Sequence, residues 1–205
     1  MSEIKTYQNY IDSAFVPSHG LIEVRNPANA ELLARVPEAT SAQVDAAVGA
    51  ARAAQKGWAA KPAIERAGYL RRIAEKVRAN AERLARIITA EQGKVPALAQ
   101  VEVAFTADYL DYMAEWARRL EGEVLTSDRV GEHIFLLRKP LGVVAGILPW
   151  NFPFFLIARK MAPALLTGNT IVIKPSEETP INCFEFAALV AETDLPRGVF
   201  NVVGG

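Results

Sequence analysis

The sequence predicts an α/β protein in which N-terminal helices and short strands precede a βαβαβ half of a doubly wound, Rossmann-like parallel sheet. Two continuous apolar runs, "VVAGIL" from Val143 and "NTIVIK" from Asn169, are typical of strands covered on both faces. A helical pattern over residues 153–167, with a kink expected at Pro163, separates them. Thr179 and a proline then open a second helix, and "GVFNVV" supplies a third strand.

The elements before this unit begin with short strands and turns over residues 1–39. A helix follows from a cap at Thr40 or Ser41 to about Trp58. Residues 64–92 have helical spacing with a break expected near Asn80, and Gly93 is a suitable stop.

A third helix follows Pro96 and carries apolar and aromatic residues at steps of three and four. This stripe consists of Leu98, Val101, Phe105, Tyr109, Tyr112, Trp116 and Leu120. A stripe of this kind is usually core packing, so we expect it to be buried.

Residues 122–142 read as two strands joined by the polar turn at residues 127–131, that is, as a hairpin. Its exposed edges make it a candidate oligomer contact, although a plain surface hairpin fits the pattern equally well. The predicted division is therefore 1–121 for the N-terminal part, 122–142 for the hairpin and 143–205 for the first half of the nucleotide-binding sheet.

Composition excludes several classes of function. The 205 residues are 51% hydrophobic and 22% charged, with zero formal net charge and a pI of about 6.8, so neither nucleic acid nor an anionic membrane is an expected partner. The single cysteine, Cys183, excludes an internal disulfide and favours a reducing compartment. No signal peptide or membrane span is visible, and we expect a cytoplasmic protein. His19 and His133 lie too far apart to suggest a metal site.

Polar side chains follow the first two strands of the predicted sheet, where open α/β sheets bind ligands. No G-x-G-x-x-G fingerprint follows any strand. Lys174 and Glu177 are three residues apart, so the carboxylate can accept from ribose hydroxyls while the lysine donates to a ribose or phosphate oxygen. A solvated salt bridge is the simpler interpretation of the spacing.

Asn151 is the one polar residue in "GILPWNFPFF". Its amide can donate to an oxyanion that forms at a carbonyl carbon. Its spacing alone favours a second role, as the cap of a helix that begins at Phe152. Phe155, Leu156 and Arg159 then share a helical face with Phe152, which is either a substrate channel with one guanidinium or a buried face with an arginine at its rim.

These segments resemble the NAD(P)-dependent aldehyde dehydrogenase superfamily. The resemblance rests on "GILPWNFP", "KMAPALLTGNTIVIKPSEETP" and "LPRGVFNVV", with "NPA" at residues 26–28 and "EQGK" at residues 91–94, and it spans essentially all 205 residues. "VEVAFTADYLDYMAEWARR" is most similar to bacterial lactaldehyde or glycolaldehyde dehydrogenases.

The resemblance implies a set of roles. Asn151 would donate to the oxyanion, and Lys160 would take part in proton transfer. Phe152, Phe155 and Arg159 would face the aldehyde channel, with the arginine favouring a small polar or carboxylated aldehyde. The cofactor would be NAD, with NADP as the alternative, and Glu177 would favour NAD. The cofactor-binding positions would be Ile147, Leu148, Pro149, Trp150, Lys174, Pro175, Ser176 and Glu177.

The function implied is NAD-dependent oxidation of a small hydroxyaldehyde, such as lactaldehyde or glycolaldehyde, to its acid, by a homo-oligomer. The family's nucleophilic cysteine, general-base glutamate and pyrophosphate loop have no counterpart in these residues, so we expect a truncated aldehyde dehydrogenase fold without its catalytic domain. The alternative is a non-catalytic module that folds or self-associates without turnover.

Overall fold

A computed structural model describes residues 4–205; residues 1–3, which belong to the predicted N-terminal strand segment and to the stretch searched for a signal peptide, lie outside the described part. The helices are α1 Ser41–Ala60, α2 Ala63–Ala79, α3 Ala81–Gln92, α4 Pro96–Glu115, α5 Phe155–Leu166 and α6 Ile181–Ala191. The strands are β1 Lys5–Thr6, β2 Asn9–Ile11, β3 Ala14–Val16, β4 Gly20–Arg25, β5 Leu32–Glu38, β6 Glu123–Thr126, β7 His133–Leu136, β8 Val143–Ile147, β9 Thr170–Lys174 and β10 Phe200–Val202.

The central sheet has the strand order β3-β2-β10-β9-β8. Strands β8, β9 and β10 are parallel neighbours connected through α5 and α6, so the predicted βαβαβ unit is confirmed. In the predicted βαβαβ unit, β10 is the last strand and would be an open edge of the sheet. Instead, β2 pairs with it in antiparallel orientation, with Tyr10 opposite Val202, and covers the edge.

Two smaller sheets complete the strand content of residues 4–205. One has the order β1-β5-β4. The other is the predicted hairpin, β6 and β7, which pairs in antiparallel register from Glu123 opposite Leu136 to Thr126 opposite His133. Every residue of β6 and β7 is exposed, so nothing within the described chain covers either face of the hairpin.

The helix boundaries follow local signals. Thr40 caps α1 through a reciprocal pair of hydrogen bonds with Gln43, which is a capping box. The predicted break separates α2 from α3 at Asn80. Gly93 ends α3 with a φ of 76°, a left-handed conformation that glycine adopts without a steric penalty.

The expectation that the stripe on α4 is core packing is wrong for this chain. Phe105 is 53% exposed and Val101 is 62% exposed, and Tyr109 alone of the seven is partly buried. A second face of the same helix is buried instead: Ala99, Glu102, Val103, Thr106, Ala107, Leu110 and Ala114. Small side chains on that face let α4 approach α2 and α5 closely, and this packing decides which of the two apolar faces turns inward.

Close packing also fixes helix α5 on the sheet. A Cβ added to Gly146 in β8 would lie 2.5 Å from a methyl of Ile173 and 3.5 Å from Cβ of Lys160. A larger residue here would have to displace the buried Ile173 side chain between α5 and β9, which favours glycine. Pro163 lies inside α5, as predicted.

A buried carboxylate ties the N-terminal strands to the helices. Glu185 of α6 is 4% exposed and accepts hydrogen bonds from Lys5 at 2.6 Å, from Tyr7 and from Arg83. Burial raises the pKa of Glu185, but these three donors outweigh it and the pKa is lowered. Glu185 is therefore ionised, and its contacts hold the segment that contains β1 against α3 and α6.

Candidate functional site

The candidate site lies where β8 and β9 end. Lys174 closes β9, and its Nζ is 3.5 Å from a carboxylate oxygen of Glu177. A backbone N–H hydrogen bond and the charge of Lys174 lower the pKa of Glu177, which is therefore ionised at neutral pH. Both side chains remain accessible to a ligand. A carboxylate acceptor beside an ammonium donor fits the hydroxyls of a ribose.

A concavity lies on each side of this pair. One, of about 430 Å³, is lined by Trp150, Ser176, Glu177 and Glu178 together with Glu91 and Gln92. The other, of about 350 Å³, lies over the ends of β8, β9 and β10 and is lined by Ile147, Val172, Lys174, Val203 and Gly204 among others. Exposed side chains beside open crevices are what a dinucleotide site at the carboxyl edge of a sheet requires.

Only some of the residues predicted to bind the cofactor expose their side chains to the crevices. Ile147 is 70% exposed and Trp150 is 58% exposed, and Pro149 is also exposed. Leu148 is an exception: it is 4% exposed and packs in the main core, because successive side chains of an extended segment alternate in direction. Pro175 and Ser176 are buried, and Ser176 Oγ accepts the N–H of Glu178 at 3.3 Å.

The prediction that Asn151 caps helix α5 is wrong. Helix α5 begins at Phe155, after Phe154 at the cap position, and no side chain of the loop caps it. The cap comes from α4: Glu102 Oε1 accepts the N–H groups of Phe154 at 2.9 Å and Phe155 at 3.1 Å. A carboxylate at a helix N-terminus satisfies free N–H groups and complements the helix dipole.

Residues 150–154, here called the Asn151 loop, are fixed through their carbonyl groups. Gln92 Nε2 donates to the carbonyl of Asn151 at 2.8 Å and to that of Trp150 at 3.0 Å. Lys94 Nζ also donates to the Asn151 carbonyl at 3.0 Å and forms an ion pair with Glu102. The side-chain amide of Asn151 is exposed and has no hydrogen-bond partner among residues 4–205. The backbone is held while the amide donors stay free.

Helix α6 is capped in the same way by a second distant glutamate. The predicted cap, Thr179, makes no such bond; its hydroxyl donates instead to the Trp150 carbonyl at 3.4 Å. Glu91 accepts the N–H groups of Ile181 at 2.8 Å and Asn182 at 3.0 Å. Burial raises the pKa of Glu91 to about 8 against these hydrogen bonds, which lower it.

The predicted substrate residues differ in exposure. Phe155 is buried against Phe105, with ring centroids 4.6 Å apart, and against Tyr109 at 5.5 Å. Phe152 is 47% exposed, and Arg159 is exposed one helical turn after Phe155. Burial raises the pKa of Tyr109, and the positive charge of Arg159 opposes that rise. Lys160 is exposed on the neighbouring position of α5.

Three residues that hold the Asn151 loop by hydrogen bonds were not predicted from the sequence: Gln92, Lys94 and Glu102. One signal for Glu102 was present. It recurs at helical spacing with Ala99, Val103 and Thr106, and a carboxylate on a buried helix face requires a buried partner.

Residues 4–205 contain neither a candidate metal cluster nor a helix that could cross a membrane. No group of three or more histidine, cysteine, aspartate or glutamate side chains in this range could hold a metal ion. No helix in the same range has the length and apolar character needed to cross a membrane.

Comparison with known proteins gives the family. The aldehyde dehydrogenase family model matches residues 15–205. Over 198 residues the chain is 59% identical to lactaldehyde dehydrogenase of Escherichia coli (strain K12), covering 96% of this chain and 41% of that protein. It is 39% identical over 184 residues to succinate-semialdehyde dehydrogenase [NADP(+)] of the same strain, covering 90% of this chain and 38% of that protein.

Solved structures agree with the sequence matches. The crystal structure of lactaldehyde dehydrogenase from Escherichia coli superimposes with a TM-score of 0.97 at 56% identity, over 99% of this chain and 43% of that one. The chain thus spans about two fifths of the length of these relatives. It belongs to the aldehyde dehydrogenase family and has the fold of that family's N-terminal portion.

Proposed function

We propose that this chain supplies the cofactor and oxyanion part of an NAD-dependent enzyme that oxidises a small hydroxyaldehyde, such as lactaldehyde or glycolaldehyde, to its acid. The single observation that carries the proposal is the free Asn151 amide on a backbone held by Gln92 and Lys94; the Lys174–Glu177 pair at the end of β9 adds the ribose site. A fixed donor with no partner of its own is what stabilises a developing oxyanion.

The roles follow from this arrangement. Lys174 and Glu177 bind the adenosine ribose, with Ile147, Pro149 and Trp150 as the crevice wall. NAD, when bound, accepts the hydride. An ionised Glu177 repels a 2′-phosphate, which supports NAD over NADP. Pro175 and Ser176 keep the turn between Lys174 and Glu177 in place through their burial.

Arg159 supports the choice of substrate class. It is an exposed guanidinium, without a salt bridge among residues 4–205, one helical turn after Phe155, whose ring packs on the exposed Phe105. A guanidinium binds hydroxyl or carboxylate oxygens of a small aldehyde, while the rings exclude water around its carbon chain. Lys160, next along the helix, is proposed to assist proton transfer.

The domain division at residues 121 and 142 and a cytoplasmic setting remain parts of the proposal. Cys183, the only cysteine, is a buried free thiol, which is compatible with a reducing compartment.

Calorimetric titration with NAD tests the cofactor assignment. We expect Glu177→Ala and Lys174→Ala each to weaken NAD binding about tenfold, the loss of one charge-assisted hydrogen bond, because each removes a ribose contact. Glu121→Ala is the matched control, since it removes an exposed carboxylate that lines neither of the two crevices. Equal affinity in all variants, or no NAD binding by the unaltered chain, would show the assignment to be wrong.

Turnover by the 205-residue chain itself is not expected. Aldehyde oxidation of this type needs a thiolate, and burial raises the pKa of Cys183, as does the neighbouring Glu91 carboxylate. Mixing the purified chain with glycolaldehyde or lactaldehyde and NAD, and following NADH absorbance, should give no signal above buffer. A steady rate that survives Cys183→Ser would contradict the required thiolate.

A second candidate function, self-association, is favoured by the exposed stripe of α4 and the uncovered hairpin β6–β7. Apolar surfaces of this kind usually mark contacts with another chain. Light scattering should find a homo-oligomer, and Val101→Lys should shift it toward monomer. A monodisperse monomer of the unaltered chain would exclude this function.

A further inference from the structure

Two charged side chains outside the predicted site meet the Asn151 loop from the helical side. We propose that Lys94 and Glu102 are positioning residues whose buried ion pair holds the Asn151 loop in the one conformation that leaves the Asn151 amide free to donate. This inference rests on the proposed oxyanion role of Asn151, and it adds a device that fixes the donor.

Lys94 distributes its three donors over the loop and its partner. Its Nζ contacts Glu102 Oε2, donates to the Asn151 carbonyl at 3.0 Å, and lies 4.1 Å from the ring centroid of Phe152. Its side chain is only 11% exposed. An ammonium group can point its protons in these separate directions, whereas the planar fork of an arginine cannot. Lys94 therefore fixes both the peptide after Asn151 and the ring that follows it.

Glu102 uses both carboxylate oxygens. Oε1 accepts the N–H groups of Phe154 and Phe155, and Oε2 receives Lys94. The side chain is completely buried, so these contacts act in a region of low dielectric constant. The ion pair thus joins the Asn151 carbonyl at one end of the loop to the first N–H groups of α5 at the other.

Positioning of this kind is needed because the loop has no regular structure of its own. Residues 150–154 lie between β8 and α5 and contain only turns and bends. A donor in an oxyanion site must be held to within about 0.5 Å, and an irregular segment without supporting contacts opens readily. Gln92 adds a second hold on the Asn151 carbonyl but has no contact with the start of α5. Among the side-chain contacts of residues 4–205, the Lys94–Glu102 pair is the one that reaches both ends of the loop.

Amide hydrogen exchange and the ¹⁵N spectrum of the labelled 205-residue chain test the proposal without any cofactor. In Lys94→Met we expect the Phe154 and Phe155 amides to exchange about tenfold faster or more, because their acceptor loses its charge partner. The Asn151 side-chain amide signal should move as well. The Ile181 and Asn182 amides, which Glu91 caps, should keep their wild-type rates.

Two further variants separate positioning from a general loss of stability. Lys61→Met removes a partly buried lysine from its pair with Glu65, away from the Asn151 loop, and should change none of these signals. Glu102→Gln keeps an acceptor for Phe154 and Phe155 but removes the charge opposite Lys94. It should therefore shift the Asn151 signal while largely preserving protection of the two amides. This variant also gives a result if Lys94→Met does not fold.

Either of two results would overturn the proposal: an unmoved Asn151 signal with unchanged exchange at Phe154 and Phe155, or faster exchange that is equal at Ile181 and Asn182. Failure of NAD to bind the unaltered chain would instead overturn the proposed function and leave these readouts unaffected, because none of them needs NAD.

Discussion

The N-termini of helices α5 and α6 are built alike and differ in charge. Each receives a buried glutamate from a distant part of the chain, Glu102 for α5 and Glu91 for α6. Glu102 has a lysine partner, while Glu91 is bound by backbone N–H groups and the amide of Asn182. The same kind of cap thus occurs in two forms. Glu102 belongs to an ion pair that also holds the Asn151 loop, whereas Glu91 is a carboxyl of raised pKa at the start of α6.

The largest effect should come from removing the paired glutamate. Glu102→Ala leaves the Lys94 ammonium buried without its counter-charge and frees two helix N–H groups, which we expect to cost about 3–5 kcal/mol of unfolding free energy. Urea denaturation followed by far-UV circular dichroism measures it. A loss below about 1 kcal/mol would mean that water or another group replaces the carboxylate.

Removing Glu91, which has no lysine partner, should lower the free energy of unfolding by a smaller amount. Glu91→Ala frees the N–H groups of Ile181 and Asn182 but strands no opposite charge, so we expect a loss of about 2 kcal/mol in the same denaturation experiment. If Glu91→Ala destabilises the chain more than Glu102→Ala, the comparison between the two helix ends is reversed.

The pH dependence of stability distinguishes Glu91 from Glu185. The pKa of Glu91 is raised to about 8, so the folded chain binds more protons than the unfolded chain between its ordinary 4.5 and 8. Stability from this group is complete below about 4.5 and declines as pH rises to 8. Melting temperatures of the wild type and Glu91→Gln should therefore converge at low pH and separate as pH rises, with the wild type falling relative to the variant. Parallel profiles would contradict the raised pKa.

The contribution of Glu185 to stability should change with pH in the opposite direction to that of Glu91, and by a smaller amount. Its pKa is lowered, so its stabilising contribution is complete above the ordinary value of 4.5 and is lost as pH falls through the folded-state pKa. Glu185→Gln should lose stability near neutral pH and approach the wild type under acid conditions. A constant difference between the two proteins from neutral to acid pH would show that Glu185 is already protonated in the folded chain.

Sequence patterns predicted the elements of the fold because their signals are local. The break at Asn80, the stop at Gly93 and the three parallel strands follow from spacing within a few residues. The pairing of β2 with β10 joins residues almost two hundred positions apart, and no local pattern contains it. The stripe on α4 was recognised, but a helix with two apolar faces gives no local indication of which one its neighbours cover.

In the candidate site, too, features formed by neighbouring residues were predicted, whereas features formed by distant residues were not. Lys174 and Glu177 were predicted as a pair because they lie three positions apart, and the structure brings their charged groups together. The caps at Asn151 and Thr179 were wrong because a nearby polar side chain is only one source of a cap. The groups that do the capping lie 52 and 90 positions away, and packing of α4 against α5 and of α3 against α6 brings them there.

The measurement that most directly tests the central claim, a free Asn151 amide on a loop held by a distant cap, is scalar coupling across hydrogen bonds in the ¹⁵N,¹³C-labelled chain. The account predicts coupling from the Phe154 and Phe155 amide nitrogens to the carboxyl carbon of Glu102, and none from any amide to the side-chain carbonyl of Asn151. Coupling of the Phe154 amide to the Asn151 side-chain carbonyl, with none to Glu102, would contradict it, because Asn151 would then be an ordinary helix cap.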